Sequence, residues 1–340
     1  MAKPADASTT YLAPAEEAPH ARTWMCWPST KSIYGWGTYF EQVQETLARL
    51  AAAIAENEPV FMLADAQHHE LAARLCGPRV KLVDVPVHDM WARDTGPVFV
   101  KTPDGGNAAV DFNFNGWGGK QWPGKDADVP DAIAAYLDVP RIEAGIVGEG
   151  GGLEYDGEGT LLLTDSCWVN DNRNPGMSQA EIEAELKRVL GAEKVIWLPG
   201  VRGQDITDGH IDGSVRFIRP GLVMTGGYPG DTSDWGRTLK ESRAILSRER
   251  DARGRSIEMV DIPSAVDVRS SRPDFFTGYA NFYIGNGAVY TPQFGDKSAD
   301  RRAQEALAKL FPDRRIVALD VDRIYENGGG IHCVTQQEPA

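Results

Sequence analysis

The chain has 340 residues, 42% hydrophobic and 25% charged, the balance of a soluble globular protein large enough for one big domain or two ordinary ones. Its 35 basic and 49 acidic residues give a formal net charge of −14, which argues against nucleic-acid partners, since these need basic stripes, and favours a cationic partner through long-range attraction. No apolar run of about 18 residues or more marks a membrane span, and the start MAKPADASTTYLAPAEE lacks the basic-then-apolar order of a signal peptide, so a cytoplasmic protein is expected.

The first ten or so residues are expected to be a short flexible N-terminus of a single domain spanning residues 1–340. Val43, Leu47, Leu50 and Ile54 recur at helical spacing, with Pro59 just past the end. VFML then reads as a strand, a helix runs from about Asp65 to Leu75 with Gly77-Pro78 as its stop, and VKLVDVPV is the next strand. The rhythm returns with TLLLT, a helix opened by the capping box Ser178–Glu181 and stopped by Gly191, and the strand KVIWLP. GLVMTGG, a helix near 234–250 and SIEMVDIP repeat it, as do NGAVYTP, a helix near 300–311 and RIVALD. The units recur about every 60 residues, in pattern rather than in letters. Such a rhythm allows a doubly wound parallel sheet, or a ring of β/α units in which every unit sends residues to one centre.

Two glycine-rich stretches fail as nucleotide loops. GKQWPGKD has P-loop spacing up to Lys125, but Asp126 stands where Ser or Thr should bind magnesium, and Trp122 and Pro123 spoil the loop's N–H donors. GEGGGLEYDGEG has Leu153 at the last position of a dinucleotide fingerprint. No nucleotide or dinucleotide site is therefore expected.

The four cysteines are far apart and expected to be free thiols. Cys26, Cys76 and Cys167 sit among apolar residues, as small buried hydrophobes do. Cys333 differs, following a glycine run and His332; a thiol becomes a nucleophile when its thiolate is favoured or a base is near. Of the six histidines, His68 and His69 lie in a polar helix and are expected to face solvent, while His20 and His88 carry little local signal. His210 lies in TDGHIDG between Asp208 and Asp212, which suits a general acid/base; the bland alternative is a surface histidine in an Asp-Gly turn. Asp94 in HDMWARDTGP and Glu149 ahead of three glycines add two acidic loops, although each alone also reads as a solvated turn. Together these residues suit a planar cation, because a guanidinium needs carboxylates for its N–H fork and a soft nucleophile for its unreactive carbon. A metal site of His210, Asp212, His332 and Cys333 is the competing reading, against which the spacings are not those of zinc motifs.

At these residues the chain resembles the agmatine deiminase family, also called the Porphyromonas-type peptidylarginine deiminase family, within the guanidino-group-modifying penteins. The resemblance runs from about residue 12 to about 339 through PHARTWMCWPS, MWARDTGPVFV, FNFNGWGGK, EGGGLEYDGEGTLLLT, NRNPGMS, TDGHID, YANFYIGNGAVYTPQFGD and GGGIHCVTQQEP. It implies a five-bladed, pseudo-symmetric α/β propeller of ββαβ units. It implies Cys333 as nucleophile, His210 as general acid/base, Asp94 and Asp212 as the guanidinium grip, and Glu149 as the partner of His210 and substrate. Trp91 and Trp117 match tryptophans that line the substrate pocket. The implied reaction converts agmatine to N-carbamoylputrescine and ammonia through a covalent thiouronium on the cysteine, with no metal or organic cofactor. The partner implied is a small cationic guanidino substrate, and a homodimer is the expected assembly. Two positions depart from the pattern. Ile206 stands where an acidic residue usually precedes TDGH, with Asp205 one place earlier as the candidate for the far amine, and Gly213 replaces an asparagine. Another guanidino compound, a C-terminal peptidyl arginine, or amidino transfer on the same scaffold are the alternatives.

Overall fold

A computed structural model of the chain describes residues 11–35, 37–227 and 230–340; the expected flexible N-terminus lies outside the described residues. The strands fall into five separate sheets rather than one, so the doubly wound alternative does not hold. Near the N-terminus, β1 (His20–Cys26) pairs in parallel with β2 (Val60–Ala64) across the helix Tyr39–Ile54, and β2 pairs in parallel with β3 (Val80–Asp84).

One connectivity then repeats four times. β4 (Val98–Lys101) is antiparallel to β5 (Asn107–Asp111), which pairs in parallel with β6 (Arg141–Glu143) after the helix Val129–Leu137. β7 (Glu154–Tyr155), β8 (Thr160–Thr164) and β9 (Lys194–Leu198) do the same around the helix Gln179–Leu190. So do β10 (Val215–Arg219), β11 (Leu222–Gly227) and β12 (Glu258–Pro263) around Asp234–Leu246. β13 (Tyr283–Gly285), β14 (Ala288–Pro292) and β15 (Arg315–Leu319) complete the series around Lys297–Leu310. Finally β16 (Gln336–Pro339) returns to pair antiparallel with β1, so the first and last strands together build the fifth ββαβ unit. The chain's end is therefore held by a sheet and is not a frayed tail.

The helices form where the apolar stripes predict. Val43, Leu47, Leu50 and Ile54 are fully buried, each worth about 1.5–3 kcal/mol relative to exposure. Both arms of the Ser178–Glu181 capping box are made, and Gly191 closes that helix in the left-handed conformation. Boundaries shift by a few residues. VKLVDVPV pairs only over Val80–Asp84; the helix expected over Asp65–Leu75 is a 3-10 turn at Ala66–His68 followed by an α-helix at His69–Cys76; the helix near 234–250 stops at Leu246. His68 and His69 are half-buried, and His69 Nε2 lies 3.0 Å from the Ala64 carbonyl, correcting the expectation that they face solvent. Among the described residues no helix is long and apolar enough to cross a membrane.

Each sheet hands the chain to the next through one connecting segment. Asp94 lies between β3 and β4, Glu149 between β6 and β7, His210 between β9 and β10, Asn281 between β12 and β13, and Cys333 between β15 and β16.

Candidate active site

Those five segments converge. Cys333 is half-buried, and its Sγ lies 3.4 Å from Asp212 Oδ2 and 3.2 Å from Asn281 Nδ2. Asn281 also frames the nucleophile's backbone, its Oδ1 accepting from the N–H of His332 at 3.0 Å and of Cys333 at 3.3 Å. The glycine run fits this cradle, since a Cβ on Gly330 would run into Asn281 Oδ1 and the Tyr325 ring.

The acid/base side is built from the other segments. His210 Nε2 sits 3.1 Å from Glu149 Oε2, and His210 Nδ1 sits 3.7 Å from Asp94 Oδ1. Asp94 Oδ1 accepts from the Gly151 N–H at 3.0 Å, and Oδ2 accepts from the Trp117 indole N–H at 2.8 Å. Trp117 itself holds a left-handed backbone, φ 54°, between Gly116 and Gly118, a conformation that costs a non-glycine residue roughly 1–2 kcal/mol. The loop thus spends local stability to aim the indole at Asp94. A Cβ on Gly151 would sit 2.6 Å from Asp94 Oδ1 and 2.7 Å from His210 Nδ1, so only glycine keeps the space between these groups open.

A buried ionic layer stands behind Glu149. Arg173 donates Nε to both Glu149 oxygens at 2.9 Å, and its Nη1 reaches Asp208 Oδ2 at 2.8 Å. Asp208 then meets Lys120 Nζ at 2.7 Å, which ties the Trp117 loop to the His210 loop.

The electrostatics follow from this packing. Burial opposes the His210 cation, but Asp94 and the Glu149 hydrogen bond outweigh it and hold the imidazole up at about 9. Burial pushes the Asp94 carboxyl up to about 6 in spite of the His210 charge, with Asp212 and Glu149 adding to the rise. Burial would also raise Glu149 and Asp212. The His210 hydrogen bond and Arg173 hold Glu149 below the usual carboxylate range, and His332 does the same for Asp212. Burial, then the charges of Asp212 and Asp94, push the Cys333 thiol well above its ordinary range. These shifts favour a protonated histidine beside a neutral thiol at neutral pH.

Of the residues expected from sequence, Asp94, Glu149, His210, Asp212, Cys333 and Trp117 come together here. Trp91 is buried beside Gly329 of the same glycine run. Asp205 is half-buried, and its oxygens accept from the Thr207 hydroxyl at 2.9 Å and the Gly209 N–H at 3.0 Å. Ile206 is exposed beside it, and Gly213 has the Phe276 ring as its neighbour. Cys26, Cys76 and Cys167 are buried free thiols, and burial pushes Cys76 up to about 12. Among the described residues no group of three or more His, Cys, Asp and Glu has the arrangement of a metal site. Sequence reasoning missed Asn281, Arg173 and Glu16 as parts of the site, and named Asp208 only as a neighbour of His210 and His332 only in the competing metal reading. The first two carried the only usable signal, a lone amide in the apolar YANFYIG and a lone arginine in NRNPGMS.

Solved structures share the mixed α/β fold. Dimethylarginine dimethylaminohydrolase, at 12% identity and a TM-score of 0.53 over 94% of this chain and 99% of its own, shares the fold alone. The agmatine deiminase of Enterococcus faecalis superposes with a TM-score of 0.91 at 31% identity, over 99% of both chains. The agmatine deiminase of Stutzerimonas stutzeri is 39% identical over 360 residues, covering 97% of this chain and 96% of its own. The family model of the Porphyromonas-type peptidyl-arginine deiminases matches residues 12–339. The chain belongs to that family.

Proposed function

We propose that this protein is a cofactor-free hydrolase of linear amidines that converts agmatine to N-carbamoylputrescine and ammonia. The observation that carries the reading is a thiol and a histidine set among three buried carboxylates, Asp94, Glu149 and Asp212. That is the chemistry a guanidinium requires, on a chain like the agmatine deiminases of Enterococcus faecalis and Stutzerimonas stutzeri. The five ββαβ units form, in this reading, a five-bladed propeller that is one catalytic domain, each inter-sheet segment giving at least one residue to the axis. A cytoplasmic homodimer is the proposed setting.

Asp94 and Asp212 grip the guanidinium nitrogens, and Trp91 and Trp117 wall the slot. The bound cation offsets the carboxylate charges that hold the thiol up, so Cys333 releases its proton to solvent on binding. The thiolate attacks the central carbon. His210, held by Glu149, gives its proton to the leaving nitrogen, the C–N bond breaks and ammonia departs, leaving a thiouronium on Cys333. Neutral His210 then takes one proton from water as the oxygen adds to the same carbon, the C–S bond breaks to return the thiolate, and the remaining hydroxyl proton passes to solvent to leave the ureido product. Asp205 is the carboxylate offered to the far amine; it has lone pairs beyond those used by Thr207 and Gly209.

The test is ammonia release from agmatine, arginine and an arginine-terminated peptide, with Cys333→Ala as control. Release from agmatine that is lost in the variant is expected. No release from any of the three substrates would overturn the reading.

A further inference from the structure

Glu16 precedes β1, in a segment far in sequence from every other site residue. Its side chain nevertheless enters the site from behind. Oε2 lies 2.9 Å from His332 Nε2 and 2.7 Å from Arg216 Nη2, and Oε1 accepts the Ile284 N–H at 2.8 Å. The other ring nitrogen of His332, Nδ1, lies 2.8 Å from Asp212 Oδ2. That same oxygen is the one 3.4 Å from the Cys333 sulfur. Glu16, His332, Asp212 and Cys333 thus form one line, with the imidazole at 1% and Glu16 at 11% side-chain exposure.

The line constrains protons as well as positions. An imidazole with a carboxylate oxygen on each nitrogen donates to both only as an imidazolium; a neutral ring satisfies one and faces a lone pair with the other. The groups that face this ring from the surrounding elements are Glu16, Asp212, Arg216 of β10, Glu154 of β7 and Arg93, whose Nε points at the His332 carbonyl from 3.4 Å. Glu154 pairs with Arg216, and Arg93 lies 3.8 Å from Glu16.

We propose that His332 and Glu16 are positioning residues: Glu16 orients His332 as a double donor, and His332 fixes Asp212 beside the sulfur and balances its negative charge. The inference rests on Cys333 being the nucleophile. It goes further by placing the control of that thiol in a residue pair that touches no substrate. The Arg216 and His332 charges hold Glu16 ionised against burial, consistent with a permanent anion at the far end of the line.

The test reads the thiol without substrate. The rate of Cys333 alkylation by iodoacetamide is followed against pH in the wild type, His332→Gln, Glu16→Gln and Glu16→Asp, with the modified peptide counted by mass spectrometry. The pH midpoint is expected to rise by about one unit or more in His332→Gln, because an uncompensated Asp212 then opposes the thiolate. It should rise less in Glu16→Gln and return toward wild type in Glu16→Asp. An unchanged midpoint in a folded His332→Gln variant would overturn the proposal. Should these variants fail to fold, nitrogen NMR of the wild-type imidazoles decides. Both His332 nitrogens are expected to donate to their carboxylates, and a single neutral tautomer would overturn the proposal. A wild-type Cys333 that resists alkylation at every pH would refute the nucleophile reading and this inference with it. Failure to release ammonia from agmatine with normal alkylation would count against the substrate alone.

Discussion

Replacing Arg173 by methionine isolates the buried ionic layer. The guanidinium is fully buried and donates to both Glu149 oxygens, to Asp208 Oδ2, to the Thr207 carbonyl at 3.0 Å and to Asn172 Oδ1 at 3.1 Å. Methionine fills similar space but leaves Glu149 facing His210 alone and Asp208 with Lys120 and Asn172. Removing one partner of a buried pair costs about 3–5 kcal/mol, since an uncompensated charge stays behind. Urea unfolding should show that loss at neutral pH. The penalty should shrink in acid, where Glu149 and Asp208 take protons and no longer need the cation; both carboxyls are held below their usual range in the intact protein. Turnover should fall by about 100-fold as Glu149, the partner of His210, is no longer held in place. A loss of stability below about 1 kcal/mol, with turnover intact, would refute the claim that Arg173 holds the acid/base pair.

Four further outcomes follow from the geometry and electrostatics of the site. Trp117→Phe removes the 2.8 Å donor to Asp94, a bond to a charged acceptor worth about 1.5–3 kcal/mol; the acid limb of the pH–rate profile should move up, and an unmoved limb would argue against the bond. Gly151→Ala puts a methyl 2.6 Å from Asp94 Oδ1, so kcat/KM should fall by about 100-fold or more while the protein stays folded, and near-normal kinetics would show that the slot lies elsewhere. In the wild type, kcat/KM should rise as Asp94 ionises through about 6 and fall as His210 loses its proton through about 9. His210, raised in the folded state, contributes stability that is fully present below its unfolded value and lost as pH rises through about 9. His210→Gln should flatten that alkaline decline, which pH-dependent thermal unfolding would show.

The sequence exposes the second half of each unit better than the first. Helices such as Gln179–Leu190 announce themselves through a capping box, an apolar stripe and a terminal glycine, and the following strands are apolar runs. The leading strands are short, β7 having only 2 residues, and carry no periodicity to read. Nor does the rhythm distinguish one sheet from five, because strand partners are set by packing between distant segments. At the site, Asp94, Glu149, His210 and Cys333 are marked by neighbouring glycines or histidine. Asn281 and Glu16 act on partners 52 and 316 residues away, and nothing local in the chain announces that. The departures at Ile206 and Gly213 are visible in the letters alone. The structure adds that Ile206 is exposed and that Gly213 faces Phe276.

The most direct test of the central claim is the mass of the protein acid-quenched during turnover of agmatine. A covalent adduct equal to agmatine less ammonia, located on the peptide carrying Cys333 and absent from Cys333→Ala, is the predicted result. Steady ammonia release with no adduct on Cys333, or release that survives the Cys333→Ala change, would contradict the account.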